Sequence, residues 1–304
     1  MTTVKDEDIL AIGRVLNNEN RPLKERFRAL FTLKNIGGKL AIEQIEKGFR
    51  DPSALLKHEL AYCLGQMQDK NAISGLINVL KDKSQEPMVR HEAGEALGAI
   101  GDPTSIPILE EYCKDPLPEV AETCELALHR LKWLKDPKST TENLSDNPYA
   151  SVDPAPPCET KSVEELKNTL LDENETLFNR YRAMFALRNM RTKTSTLAIS
   201  EGLKAGTALF RHEIAFVLGQ LQEEVSVPYL KESLEDEKEN EMVRHECAEA
   251  LGAIASPDCL EILKKYLKDE KRVVRESCDI ALDMCEYENS SEFQYADTLP
   301  EVVA

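Results

Sequence analysis

Four His-Glu dipeptides carry the strongest chemical signal in the sequence. The chain has five histidines, and four of them are followed directly by glutamate. The pairs are His58-Glu59, His91-Glu92, His212-Glu213 and His245-Glu246. Imidazole and carboxylate groups bind borderline and harder divalent metals, and two histidines with one carboxylate form the facial triad of non-haem Fe(II) sites. The pairs therefore predict a metal site. Because no cysteine shares their spacing, they do not favour a structural zinc site.

Each dipeptide lies in the same local pattern. The residue before the histidine is basic, the third residue after it is Ala or Gly, and the sixth and seventh are Leu-Gly in all four copies. On a helix the third position shares the histidine's face, so a small residue there is expected to leave space beside the imidazole. We expect the Leu-Gly to serve repeat packing, with the glycine at a helix end or a close crossing.

The sequence is a duplication with an offset of 154 residues. Residues 88–100 match 242–254 at 11 of 13 positions, and residues 54–66 match 208–220 at 8 of 13. Within each half, the two paired histidines are 33 residues apart. A period of this size is typical of stacked helical hairpins, because one hairpin cannot bury its own apolar face.

We therefore expect an all-α fold, an α-solenoid of eight hairpins resembling HEAT repeats in two pseudo-symmetric halves of four. Only 13 glycines and 15 prolines occur in 304 residues, which favours helices over strands and turns. The predicted segments are an N-terminal arch at 1–135, an extended Pro-, Ser-, Asn- and Asp-rich linker at 136–161, a C-terminal arch at 162–286 and a tail at 287–304.

The position of the pairs favours a site over a packing device. Only the two central repeats of each half carry them, and the next repeat has Val274-Arg275-Glu276 where Val243-Arg244-His245 stands. Helices of adjacent repeats pack about 8–10 Å apart, so their histidines can reach one ion. We expect one metal in each half and a two-metal centre where the arches face each other. Six ligands would hold the metals and two glutamates would remain for substrate.

Two other functions also fit the pattern. A metal-free HEAT scaffold would carry the pairs as exposed or core residues, and no metal would co-purify with it. A metal-dependent hydrolase would use zinc or manganese to activate water and would consume no O2.

Four further residues are weaker candidates for substrate contact. Glu95 and Glu249 lie four residues after a histidine, on its helix face, where an acid can hold a cationic substrate. A solvated helix face fits them equally well. Met88 and Met242 lie three residues before a histidine and could form an apolar wall, although ordinary core packing is the simpler interpretation.

Composition limits the classes of partner. The chain has 38 Lys and Arg against 55 Asp and Glu, a net charge of −17, which disfavours nucleic acid and favours a cationic partner. No stretch approaches the about 18 apolar residues of a membrane span, and the N-terminus lacks the pattern of a signal peptide. The eight scattered cysteines contain no Cys-x-x-Cys pair and indicate a reducing, cytoplasmic location.

The doubled His-Glu pattern closely resembles the deoxyhypusine hydroxylase family of HEAT-repeat di-iron monooxygenases. The match runs from about residue 10 to 298 and includes all four pairs. It is carried by Leu56-Lys57-His58-Glu59-Leu60-Ala61-Tyr62, Glu86-Pro87-Met88-Val89-Arg90-His91-Glu92, Leu209-Phe210-Arg211-His212-Glu213, Met242-Val243-Arg244-His245-Glu246 and Ser151-Val152-Asp153-Pro154-Ala155-Pro156-Pro157. The one visible departure is Asn240-Glu241 where the first half has Glu86-Pro87, and it lies outside the pairs.

The resemblance implies hydroxylation of the deoxyhypusine side chain of eukaryotic translation initiation factor 5A, which completes hypusine. It implies two Fe(II) ions per chain, O2 as co-substrate and an external reductant. The iron ligands are drawn from the eight residues of the pairs, with the four histidines expected first, then Glu92 and Glu246. Glu59 and Glu213 are the expected catalytic acids on the substrate side. Deoxyhypusine is a polyamine with two cationic nitrogens, which suits an acidic protein.

Overall fold

The computed structural model describes residues 4–159, 161–292 and 294–298, and the regular secondary structure of these residues is helical. The α-helices are α1 (Asp6–Leu16), α2 (Leu23–Ile36), α3 (Gly38–Glu46), α4 (Ala54–Gln66), α5 (Ile73–Lys81), α6 (Pro87–Ile100), α7 (Ile106–Tyr112), α8 (Pro118–Lys135), α9 (Val163–Leu171), α10 (Leu177–Met190), α11 (Lys193–Ser200), α12 (Ala208–Leu221), α13 (Val227–Glu235), α14 (Glu241–Ile254), α15 (Pro257–Tyr266) and α16 (Arg272–Glu288). Short 3-10 segments lie at Lys47–Arg50, Lys70–Ala72, Pro103–Ser105, Pro137–Thr141, Glu201–Lys204 and Glu224–Ser226. The all-α prediction is confirmed for these residues.

The structure divides into two compact units. Among the described residues, one unit contains those up to Leu128 together with those from Ser291 onward, and the other contains those from His129 to Ser290. Strand-like pairing among the described residues is limited to one isolated bridge between Leu144 and Glu159. None of the helices described is both long and apolar enough to cross a membrane.

The helices that carry the His-Glu pairs begin with local signals. The hydroxyl of Ser53 accepts a hydrogen bond from the Leu56 N–H at the start of α4 (3.1 Å), and Asn240 caps α14 through the Met242 N–H (2.9 Å). Helix α6 starts with Pro87 at its first position, where a missing N–H costs nothing. The Asn240-Glu241 departure noted in the sequence is therefore a second way to start the same helix.

The glycines of the Leu-Gly motifs lie at close helix crossings. A Cβ added at Gly65 on α4 would lie 2.7 Å from the Cα of Ala96 on α6, and one at Gly219 would lie 3.1 Å from the Cα of Ala250. Of the two roles expected for these glycines, the structure shows the close crossing. At Gly94, a Cβ would lie 2.9 Å from Thr123 Cγ2, so the neighbouring helix α8 fills the space that we expected beside the imidazole.

The second His-Glu pair of each half lies on α6 or α14, and a buried arginine ties each of these helices to its neighbours. The Nε–H of Arg90 donates to the Leu80 carbonyl (3.0 Å), and that of Arg244 donates to the Leu234 carbonyl (2.9 Å). A second nitrogen of Arg244 lies 2.6 Å from Asp269. Burial raises the pKa of Asp269, but hydrogen bonds from Arg244 and from the Lys271 N–H, together with the arginine charges, leave the pKa below its ordinary value.

Two further arginines, 154 residues apart, hold the non-helical segments. In the first unit, Arg28 lies 3.0 Å from both Glu292 and Asp297 of the C-terminal segment. In the second unit, Arg182 pairs with Glu142 and donates to the carbonyl of Pro157 (3.2 Å). The segment predicted as a linker is thus seated on α10 of its own unit.

We predict that Arg244→Ala lowers the free energy of unfolding by ~1.5–3 kcal/mol, because the partly buried Asp269 carboxylate loses its charged hydrogen-bond donor. Arg21→Ala is the matched control, since Arg21, just before α2, forms an exposed pair with Glu25 and its loss is expected to cost less than ~0.5 kcal/mol. Chemical denaturation of both variants measures the difference. If Arg244→Ala and Arg21→Ala unfolded at the same denaturant concentration, the pair of Arg244 and Asp269 would not stabilise the unit.

The same pair sets a dependence on pH. Because the folded-state pKa of Asp269 lies below its unfolded value, the pair stabilises the fold above about pH 4 and its contribution is lost as the pH falls further. We expect wild type and Arg244→Ala to converge in stability under acid, and a constant difference down to acid pH would contradict this origin.

Candidate metal centre

In the first unit, two histidines and a glutamate meet between α4 and α6. The Nε2 atom of His58 lies 3.3 Å from Oε2 of Glu92, and the ring centroids of His58 and His91 are 5.4 Å apart. One possible ligand atom from each of His58, His91 and Glu92 lies within 4.8 Å of the others. The sequence pattern predicted this grouping, and the helix crossing at Gly65 brings it about.

In the second unit, α12 and α14 repeat the arrangement. His212 Nε2 lies 3.4 Å from Oε2 of Glu246, and the His212 and His245 ring centroids are 5.3 Å apart. Ligand atoms of His245, Glu246 and Glu249 also lie within 4.8 Å of one another. The carboxylate of Glu249 is therefore closer to this group than the sequence alone indicated.

The four imidazoles and the Glu92 and Glu246 carboxylates are buried, whereas Glu249 is partly exposed. His91 and His245 are fully inaccessible, and Glu92 and Glu246 are 3% and 6% exposed. Ionisable groups are costly to bury unless they are paired or coordinate a metal. Nitrogen and carboxylate donors within ligand distance of one another fit a divalent transition metal such as iron, so these clusters are compatible with metal binding.

Glu59 and Glu213 lie beside the clusters, not within them. Each follows its histidine by one residue, which turns it about 100° around the helix axis. Both are buried, at 8% and 3% exposure, and neither belongs to the ligand-atom groups found in the described chain. Glu59 and Glu213 are thus buried carboxylates outside the ligand-atom groups of the described residues.

The four weaker candidates occupy different environments. Met88 and Met242 are buried, at 5% and 3% exposure. Glu95 is partly exposed on α6. Glu249 Oε1 lies 3.5 Å from His245 Nδ1 and accepts a hydrogen bond from the Ser277 hydroxyl (3.2 Å). Sequence analysis missed Ser277, because it lies on α16 and carries no motif of its own.

A buried cysteine, Cys63, lies on the same helix as His58 and Glu59. Burial first, and then the charges of Glu59 and Glu92, raise the pKa of the Cys63 thiol well above its usual range. The Cys63 sulfur belongs to none of the ligand-atom groups found in the described residues, so we do not count it among the candidate ligands. The equivalent position of the second half is Val217, which has no donor atom at all.

Comparison with known proteins agrees with this architecture. A family model of HEAT repeats matches residues 24–129 and 196–283, which confirms the expected repeat type, while the count of eight hairpins stays a prediction. Deoxyhypusine hydroxylase of Drosophila melanogaster is 67% identical over 302 residues, covering 99% of this chain and 99% of the relative. The human deoxyhypusine hydroxylase is 58% identical over 299 residues, covering 98% of each.

A solved structure is similar over nearly the same span. The structure of human deoxyhypusine hydroxylase in complex with glycerol superposes with a TM-score of 0.89 at 58% sequence identity. The match covers 93% of this chain and 97% of that one.

We predict that Cys63→Val leaves the metal content of the purified protein unchanged and alters the free energy of unfolding by less than ~1.5 kcal/mol, because the exchange nearly conserves volume and the thiol is not a ligand. Elemental analysis and chemical denaturation test this, with His58→Ala as the variant expected to lose metal. A Cys63→Val protein that lost metal while keeping its fold would make the sulfur a ligand.

Proposed function

The chain belongs to the deoxyhypusine hydroxylase family, and we propose that it hydroxylates the deoxyhypusine side chain of eukaryotic translation initiation factor 5A to give hypusine. The observation that carries the proposal is the pair of buried clusters, each with two imidazoles and at least one carboxylate. Neither a scaffold nor a binding module needs ligand-type side chains in two matched interior positions.

Each unit would hold one iron, two Fe(II) per chain. In the first unit His58, His91 and Glu92 are the proposed ligands, and in the second unit His212, His245 and Glu246 take the same positions 154 residues later. Bound iron would activate O2, with electrons from an external reductant, so that one oxygen atom enters a C–H bond and the other leaves as water. The donor set of two nitrogens and one carboxylate fits this metal.

The role of Glu59 and Glu213 would be to hold the substrate. A deoxyhypusine side chain carries protonated amines, and an amine N–H donates a short, strong hydrogen bond to a carboxylate oxygen. These two carboxylates are buried next to the proposed ligands, where low dielectric strengthens such a bond. By fixing the amines, they would place one carbon of the aminobutyl arm for reaction.

The remaining candidates complete the proposed substrate path. Glu95 would add negative charge one helical turn beyond His91, and the Met88 and Met242 side chains would give apolar contact to the methylene chain. The net charge of −17 would favour approach of a cationic segment of the substrate protein in the cytoplasm.

We predict that freshly purified protein contains about two irons per chain, and that His58→Ala and His212→Ala each lower this number by about one, because each removes one of three proposed ligands. Elemental analysis gives the metal and its amount. Zinc or manganese with no O2 uptake would support a hydrolase, and protein that stays metal-free after reconstitution with Fe(II) would support a scaffold.

We further predict that Glu59→Gln and Glu213→Gln keep their iron but raise the KM for the deoxyhypusine protein about tenfold or more, since each replaces a charge-assisted hydrogen bond worth at least ~1.4 kcal/mol with a neutral one. Glu92→Gln is the matched control and is expected to lose iron. The proposal for Glu59 would be overturned by a loss of iron equal to that of Glu92→Gln.

A further inference from the structure

A hydroxyl, a carboxylate and an imidazole form a chain that reaches the second cluster from outside. The Ser277 Oγ–H on α16 donates to Glu249 Oε1 (3.2 Å), and the same oxygen lies 3.5 Å from Nδ1 of His245. We propose that Glu249, held by Ser277, is a positioning residue that fixes the tautomer and orientation of His245. This role replaces the substrate contact predicted for Glu249 from the sequence.

The contact between Glu249 and Nδ1 of His245 decides which ring nitrogen of His245 can bind a metal ion. A carboxylate beside Nδ1 favours the proton on Nδ1, and the lone pair is then on Nε2. Partners of this kind orient metal-binding histidines and increase their basicity. Glu249 thus acts on the ion through His245, whereas Glu246 lies beside His212 Nε2 and is the proposed ligand.

The Ser277 hydroxyl, which donates to Glu249, is held rigidly in place. Ser277 is fully buried, and α16 packs directly on α14. A Cβ added at Gly252 would lie 2.7 Å from the Cα of Ala281, so the two helices are in backbone contact. A hydroxyl on such a helix has little freedom to leave Glu249, which lies one helical turn before Gly252.

The first unit differs at the matching positions. Thr123 stands where the second half has Ser277, and Gly94 stands where it has Ala248. The Thr123 methyl occupies the space over Gly94, at 2.9 Å from a Cβ built there, so a threonine would not fit opposite Ala248 without a shift. The Thr123 hydroxyl is buried and forms no hydrogen bond within the described residues. The hydroxyl contact therefore belongs to the second unit alone.

The first test needs no metal. With only five histidines, 15N-histidine-labelled apo protein at about pH 8, above the reference imidazole pKa of about 6.5, gives a resolvable 1H–15N spectrum. His245 is expected to carry its proton on Nδ1. Ser277→Ala and Glu249→Leu should each shift His245 toward the Nε2–H form, while Thr123→Val, the matched control, leaves His91 unchanged. An unchanged His245 tautomer in both variants would overturn the proposal.

The second test measures the consequence with Co(II) titrated into the apo protein. Because outer partners of ligating histidines typically change metal affinity 10–100-fold, Ser277→Ala and Glu249→Leu should each raise the Kd of one Co(II) by about tenfold or more. The effects should not add in the double variant, since Ser277 acts through Glu249. Unchanged affinity, or full additivity, would overturn the proposal.

The inference rests on the proposed metal centre, and the outcomes separate the two. Wild type that binds no Co(II) or Fe(II) would remove the proposed function, whereas the tautomer result would still report on Glu249. If Glu249→Leu changed the shape of the Co(II) absorption spectrum and Ser277→Ala did not, Glu249 would be a ligand and its positioning role would be refuted.

Discussion

The distance between neighbouring helices is the constraint on which each cluster depends. Histidine and glutamate side chains on two helices reach one another only if the backbones cross closely. Gly65 and Gly219 provide this crossing, where an added Cβ would lie 2.7 and 3.1 Å from an alanine Cα on the next helix. Each glycine lies seven residues, about two turns, after its histidine, so the contact fixes the spacing at the level of the imidazoles. A side chain there would separate the donor atoms.

Burying imidazoles and carboxylates close together costs free energy, so the surrounding helices must hold them rigidly in place. Imidazoles and carboxylates inside a helical core cannot exchange their partners with water, so their positions depend on the helices that carry them. The residue before each histidine contributes to this support. Lys57 lies 2.6 Å from Glu86, and Arg211 forms two bonds of 2.7 Å with Glu239, so each helix is linked to the loop that leads into the next His-Glu helix. The basic residue of the motif is therefore structural.

Sequence reasoning reached the features that repeat and missed those that depend on packing between distant residues. The His-Glu pairs and their helical setting could be predicted because the same pattern occurs four times in the sequence. The close crossing at the Leu-Gly glycine was one of two roles that this pattern allowed. The contact between Ser277 and Glu249 spans two helices and has no repeated signature, so no pattern pointed to it. The contact between the 136–161 segment and Arg182 could not be predicted for the same reason, since the composition indicated only an extended segment.

The two halves also show which parts of the framework can be exchanged. Arg26 in the first half pairs with Asp51, but the matching Arg180 has Ala205 at that position. Phe210 stands where the first half has Leu56, and the Arg180 guanidinium lies 3.9 Å from its ring centroid. The second half thus has a cation–π contact beside this arginine, which keeps its bond to the Leu170 carbonyl. Packing roles can pass to a different chemistry in this way, because several contacts hold a helix in place. The His-Glu pairs are identical in both halves while the residues that support them have diverged, as the proposed ligand role requires, since a metal-binding atom is not replaced by a packing contact.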